Sequence, residues 1–199
     1  MKITNYNLTE IISKDIPTVI LSSPRTGSTL LIDGLIESSP TPLPRFSEPH
    51  INGGMDQLSL ISENKKYVLK VHAKDLIEHY PEKIKKVIDT HSCYLIRIRR
   101  KNLIDQLTSQ YIAIKRGIWK YTLDTKIIDE EGIDFELINN TVEVISKYNY
   151  KVDNYPANFD LDVYYEDLNI TTSRSIKTLS YKNYDLIHQT FNNIINQIV

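Results

Sequence analysis

The sequence predicts an α/β fold on a mainly parallel sheet, and three observations carry that expectation. Strand-like apolar runs at 17–21, 66–72, 93–98 and 160–165 alternate with stretches whose apolar residues recur at helical spacing. The first of these runs passes through a tight loop directly into a helical pattern. At 199 residues and 41% hydrophobic, the chain can bury one sizeable core, so a single domain over 1–199 is expected.

Each element follows from its local pattern. Residues 5–15 hold a short helical pattern in Leu8, Ile11 and Ile12, expected to lie beside the first strand, Pro17-Thr18-Val19-Ile20-Leu21. Leu30, Leu31, Gly34, Leu35 and Ile36 give one buried face of a helix that starts at Ser28 and ends near Ser38. The prolines of Ser39-Pro40-Thr41-Pro42-Leu43-Pro44 forbid helix, so this stretch should run extended and bring Arg45-Phe46-Ser47-Glu48-Pro49-His50 to a fixed place. Residues 66–72 have strand propensity, and 75–80 and 81–89 are helical in pattern, with Pro81 suited to a first helical position. A strand at 93–98 leaves through Arg99-Arg100-Lys101-Asn102 into a long helix carrying Leu103, Ile104, Leu107, Tyr111 and Ile114. Ile138, Val142, Ile145 and Tyr148 describe another helix, ended by Pro156 at the latest. Asp160-Leu161-Asp162-Val163-Tyr164-Tyr165 alternates as a strand, Glu166-Asp167-Leu168 turns out of it, and a final helix begins near Lys182.

A formal net charge of -1 gives no global attraction to nucleic acid or an anionic membrane, so any basic site must be local. Cys93, the single cysteine, has no internal disulfide partner, and no apolar run approaches the length of a membrane span. The N-terminal residues start no signal peptide, and a cytoplasmic protein is expected.

The chemistry concentrates in Ser22-Ser23-Pro24-Arg25-Thr26-Gly27-Ser28-Thr29. A strand, a tight loop and a helix N-terminus aim backbone N–H groups and the positive end of the helix dipole at one spot, which suits phosphate or sulfate. Gly27 allows close backbone approach, while Thr26, Ser28 and Thr29 add hydroxyls and Arg25 adds a forked cation. A nucleoside-triphosphate loop would follow its glycine with Lys-Ser/Thr; here Ser28 follows Gly27, and the cation precedes the glycine by two places.

Two further stretches suit an anion-handling site. Arg99 and Arg100 place adjacent guanidinium groups at a helix start, a strong phosphate site. In Leu69-Lys70-Val71-His72, Lys70 and His72 share one side of a strand whose carboxyl end should open onto the ligand crevice of a parallel sheet.

Pro24-Arg25-Thr26-Gly27-Ser28-Thr29 resembles the 5′-phosphosulfate loop of the sulfotransferases, which use 3′-phosphoadenosine 5′-phosphosulfate (PAPS) as donor. Arg100 and Ser109 resemble that family's 3′-phosphate motif, an arginine at a strand exit and a serine about two helical turns later, with Arg99 and Thr108 as neighbours able to hold either role. Lys70-Val71-His72 resembles the strand end whose histidine is the general base in cytosolic members, and Phe46-Ser47-Glu48-Pro49 resembles another branch, where a glutamate on the loop after the first helix is the base. Tyr165-Glu166-Asp167-Leu168 matches a recurrent family signature, expected to cap the turn that follows. Together these motifs span 18–168 in the family's order.

The resemblance implies a three-layer, P-loop-like fold and transfer of a sulfuryl group, without a metal, to a hydroxyl or amine of a small-molecule or glycan acceptor, releasing 3′,5′-adenosine bisphosphate (PAP). It implies that Arg25 and the backbone around Gly27 hold the phosphosulfate, that Arg100 and Ser109 hold the 3′-phosphate, and that His72 or Glu48 is the base with Lys70 assisting. His72 is preferred, because a neutral imidazole accepts protons near neutral pH whereas a glutamate needs burial to do so. Leu30 stands where the cytosolic enzymes stack a tryptophan on adenine, and their late Arg-Lys-Gly loop is absent. Arg174 and Lys177 are the candidates to replace that loop, and Trp119 and Tyr121 the candidates to line an acceptor site.

Three other readings compete. A nucleotide kinase would share the loop but needs magnesium ligands, commonly an aspartate at a strand end, where this chain has Arg99 and Arg100. A cysteine phosphatase is suggested by Cys93 and Arg99, but the intervening Tyr94-Leu95-Ile96-Arg97-Ile98 is an apolar strand without glycine. A non-catalytic nucleotide-binding module is separated from an enzyme by donor turnover.

Overall fold

The computed structural model describes residues 2–49, 65–79, 81–90, 92–117, 132–170 and 184–198. The chain packs as two compact units, Met1–Lys101 with Lys147–Ser173 and Asn102–Ser146 with Arg174–Val199.

The first unit is an α/β layer structure. Its elements are β1 (Ile3–Thr4), α1 (Asn5–Ser13), β2 (Thr18–Ser22), α2 (Ser28–Glu37), β3 (Arg45–Ser47), β4 (Val68–His72), a π-helical turn (Asp75–His79), α3 (Pro81–Thr90) and β5 (Tyr94–Arg99). After an excursion into the second unit, the chain adds β6 (Leu161–Tyr164), a 3-10 turn (Tyr165–Asp167) and β7 (Leu168–Asn169). Five strands form one sheet in the order β3-β4-β2-β5-β6, every pair parallel, and β1 pairs separately with β7.

Residue alternation along the strands builds a core on each face of this sheet. Ile20, Val68, Ile96, Ile98 and Val163 face α1 and α2, packing on Leu8, Ile12, Leu31, Ile32 and Leu35. Val19, Leu21, Leu69, Val71 and Leu95 face the other way, toward Ile84 of α3. The α/β expectation, a mainly parallel sheet flanked by helices, therefore holds. Adjacent strands β2 and β4 send their following helices to opposite faces, so the chain diverges at their carboxyl ends, where open parallel sheets form ligand crevices.

The second unit is helical: α4 (Leu103–Arg116), the first part of α5 (Phe135–Asp153) and α6 (Tyr184–Ile198). They bury Leu107, Tyr111, Ile112, Ile138, Ile145, Ile187 and Phe191 together. Among the described residues, no helix is long and apolar enough to cross a membrane.

Three elements escaped the sequence pattern. The segment after the prolines is not merely extended: β3 pairs with β4 from Arg45↔Val68 to Ser47↔Lys70, and Val68 N–H donates to the Pro44 carbonyl at 3.0 Å. β1 and β7 are two residues each, too short to show a period.

Candidate functional site

The loop between β2 and α2 is built on a left-handed glycine. Gly27 has φ 76° and is the N-cap of α2, and its carbonyl accepts the first helical bond, from Leu31 N–H at 3.2 Å. The N–H groups of the preceding first turn have no acceptor within the helix, which leaves them available to an anion. A glycine cap also contributes no side chain that would cover them. The loop walls are well held: Thr26 Oγ1 donates to the Ser23 carbonyl at 2.9 Å, and Ser23 Oγ donates to Asn149 Oδ1 on α5. Ser22, Ser23, Pro24, Thr26 and Ser28 are buried, Arg25 and Thr29 half-buried.

Beside this loop lies a paired acid and base. Glu48 leaves β3 with its backbone N–H donating to the Lys70 carbonyl at 2.9 Å. Its side chain then returns to accept from Lys70 Nζ, which also donates to Thr29 Oγ1 at 3.1 Å. The Lys70 side chain is only 6% exposed and that of Glu48 22%. A buried ammonium is costly without a counter-charge, so Glu48 is what allows Lys70 to stand at this position. Among the described residues, the non-glycine residues with positive φ are Arg25 (60°) and Glu48 (48°). Such backbone costs of order 1–3 kcal/mol per residue and gathers at functional sites. Here both instances belong to one constellation.

His72 takes a different surrounding. Its Nδ1 accepts from Lys74 N–H at 3.3 Å, and its ring meets Tyr148 edge-on, centroids 5.9 Å apart. With Nδ1 as acceptor, the neutral ring carries its proton on Nε2. To act as a base it must take the incoming proton at Nδ1 and give up the Lys74 contact. Tyr148 in turn donates to Glu78 at 3.1 Å, and burial with that bond pushes its phenol up to about 12.

The basic strand exit is engaged rather than bare. Arg100 Nη1 donates to the Arg25 carbonyl at 3.1 Å, and its guanidinium lies 5.0 Å from the Tyr165 ring centre and 3.7 Å from Glu166. Arg99 forks onto Asp162 through Nε at 3.1 Å and Nη2 at 2.9 Å, with Asp153 3.6 Å from Nη1. Glu166 and Asp167, expected to cap the turn after them, are both engaged by Lys101: Glu166 accepts from Lys101 N–H at 3.0 Å, and Asp167 from Lys101 Nζ at 2.9 Å. That bond holds the Asp167 carboxyl below its ordinary range and the Lys101 ammonium above. A cleft of about 520 Å³ opens among Ser23, Arg99, Arg100, Lys101, Asn149 and Asp153.

No protein-family model matches the chain, and no curated protein matches it either. The site is therefore judged on its own chemistry.

Of the residues singled out from sequence, the first unit brings Thr29, Lys70 and Glu48 together, joins Arg100 to the Arg25 backbone, and sets Arg99 and Arg100 in one cleft with Ser23. Ser109 lies half-buried on α4 of the second unit, where the adjacent Thr108 is fully buried. Trp119, Tyr121, Arg174 and Lys177 lie outside the described residues. Sequence reasoning missed Asp153, Asn149 and Asp162. Only Asp162 left a signal: the alternation of the 160–165 strand puts it on one face of the sheet with Asp160 and Tyr164.

Proposed function

We propose that this chain is a PAPS-dependent sulfotransferase in which Glu48 is the general base and Lys70 its paired cation. The observation that carries the reading is the Glu48–Lys70–Thr29 chain of contacts at the carboxyl end of the sheet, beside a glycine-capped helix start. In a P-loop-like arrangement, the 5′-phosphosulfate lies against the first-turn N–H groups after Gly27, with Arg25 and the Thr26, Ser28 and Thr29 hydroxyls around it. Glu48 takes the proton of the acceptor hydroxyl or amine while the bond from the acceptor oxygen or nitrogen to sulfur forms and the sulfur–oxygen bond to the donor phosphate breaks. Once Glu48 is protonated, Lys70 loses its counter-charge and its ammonium turns to the charge growing on the departing phosphate oxygen. The cleft at Arg99 and Arg100 receives the 3′-phosphate of the donor.

His72 then has a supporting place, since Nδ1, the ring nitrogen that would take a proton, already accepts from Lys74 N–H. The deciding experiment is calorimetric binding of PAP, ADP and ATP with a chelator present, followed by single turnover of labelled PAPS with a panel of phenol, alcohol, sugar and amine acceptors. PAP is expected to bind well above ADP without metal. Equal binding of ADP, or a strict magnesium requirement, turns the reading to a nucleotide kinase. PAP binding with no turnover on any acceptor turns it to a non-catalytic module.

A further inference from the structure

The cleft beside the loop carries a carboxylate that helix physics does not ask for. Asp153 is the last residue of α5, and a negative charge there opposes the helix dipole. Its backbone is held independently, the carbonyl accepting from Arg97 Nη1 at 2.8 Å. The carboxylate is 44% exposed and stands 3.6 Å from Arg99 Nη1, the face of that guanidinium which the Asp162 fork leaves open to the cleft. Asp162 and Asp153 thus divide the work on Arg99. Asp162, bound through two bonds of 2.9 and 3.1 Å, orients the guanidinium. Asp153, at a longer and looser distance, satisfies the charge without closing a hydrogen bond.

We propose that Asp153 is a built-in competitor for ligand anions at Arg99: it occupies the cationic wall of the cleft and sets the charge an incoming anion must carry to displace it. The inference rests on the reading that this cleft takes the donor's 3′-phosphate. A dianionic phosphate monoester outbids a single carboxylate at a guanidinium and brings more acceptor oxygens. A ligand whose only phosphate sits in the β2–α2 loop does not contest Asp153. The carboxylate therefore raises the charge that a group at the 3′ position must bring before it takes Arg99, while weakening the bisphosphate itself, and it speeds release of the product by returning to Arg99.

The test compares wild type with Asp153→Asn for binding of PAP and of 5′-AMP, by calorimetry at fixed ionic strength. Asp153→Asn is expected to tighten PAP about tenfold and to slow its release in stopped flow, while 5′-AMP changes less than about twofold. The variant removes an unfavourable charge from a helix C-terminus and leaves the Arg97 bond in place, so its melting temperature should hold or rise. Asp153→Ser serves as a second substitution if the asparagine variant does not fold. Unchanged or weaker PAP binding, or an equal gain for PAP and 5′-AMP, overturns the proposal while leaving the donor reading intact. If PAP binds neither wild type nor variant, the donor reading fails, and this inference goes with it.

Discussion

Arg100 is bonded to the backbone of Arg25: its Nη1 donates to the Arg25 carbonyl at 3.1 Å, across 75 residues of sequence. The strand exit after β5 thereby holds the crest of the β2–α2 loop, at a residue whose backbone is itself left-handed. The two basic stretches picked out from sequence are thus mechanically one site.

Replacing Arg100 with alanine should therefore do two things. Loss of its charge-assisted bonds is expected to cost on the order of 1.5–3 kcal/mol of PAP binding and remove most of the preference over ADP. The loop should also loosen, so ADP binding falls too, by a smaller factor. Titrations of both nucleotides on wild type and Arg100→Ala check this; a loss equal for the two ligands would leave Arg100 with the loop-holding role alone.

Gly27 offers a sharper probe of the loop. Its φ of 76° favours glycine, and a Cβ there would stand 2.1 Å from Tyr165 Cδ2 and 2.6 Å from Cε2. Gly27→Ala combines backbone strain with a clash against an aromatic ring, so destabilisation of about 1–3 kcal/mol is expected in urea unfolding. PAP binding should fall with it. The double variant Gly27→Ala, Tyr165→Ala should recover part of the stability, because the ring is what the new methyl meets.

These relationships show which parts of the molecule were legible. The strand–loop–helix at 18–37 and the separate candidates Lys70 and Glu48 were visible because strand period, proline punctuation and residue chemistry are local properties, whereas their pairing was not. That the Arg99 and Arg100 charges would be met by Asp162, Asp153 and Glu166 was not visible, because those contacts depend on which strand lies beside β5. The choice between His72 and Glu48 lay out of reach for a similar reason. The strand pattern places a histidine at the crevice, but only the turn at Lys74 decides which ring nitrogen faces the backbone. β3 was hidden by its length of three residues, although its pairing is what carries Glu48 to Lys70.

Alkaline pH should unfold this protein early. Burial pushes Tyr67, Cys93, Tyr94 and Tyr155 up, and burial with the Glu78 bond pushes Tyr148 up to about 12 from its usual 10.0. Each raised group holds its proton more tightly in the folded chain, so its contribution is complete below the unfolded pKa and is lost as pH rises through the folded one. For Tyr148 that window runs from 10.0 to about 12. Unfolding free energy measured in urea should fall steadily above about pH 9, where the unfolded thiol begins to ionise. Tyr148→Phe should flatten part of the slope while lowering stability near neutrality by about 0.5–1.5 kcal/mol, through loss of the Glu78 bond. An unchanged slope in that variant would show that Tyr148 takes no part.

The identity of the base is the prediction on which the mechanism turns. Glu48 is joined to Lys70, and Lys70 to Thr29 in the first turn of α2, so the carboxylate, the ammonium and the loop form a continuous path. His72 faces Tyr148 and the Lys74 N–H instead. Glu48→Gln should lower single-turnover transfer by about 10²-fold or more with PAP affinity nearly intact, because the amide keeps the shape but cannot take the proton. Lys70→Met, which keeps the length of the chain and removes the charge, should slow transfer as well and leave Glu48 without its partner. His72→Ala should reduce the rate mildly, about tenfold or less, through the strand end it helps to shape. The pH profile separates a base from a positioning residue: loss of a base should abolish the ascending limb in single turnover, whereas loss of a positioning group lowers the plateau and leaves the limb in place. If Glu48→Gln keeps a near-normal rate and limb while His72→Ala loses both, the proton goes to His72, and the Glu48–Lys70 pair serves only to hold the loop.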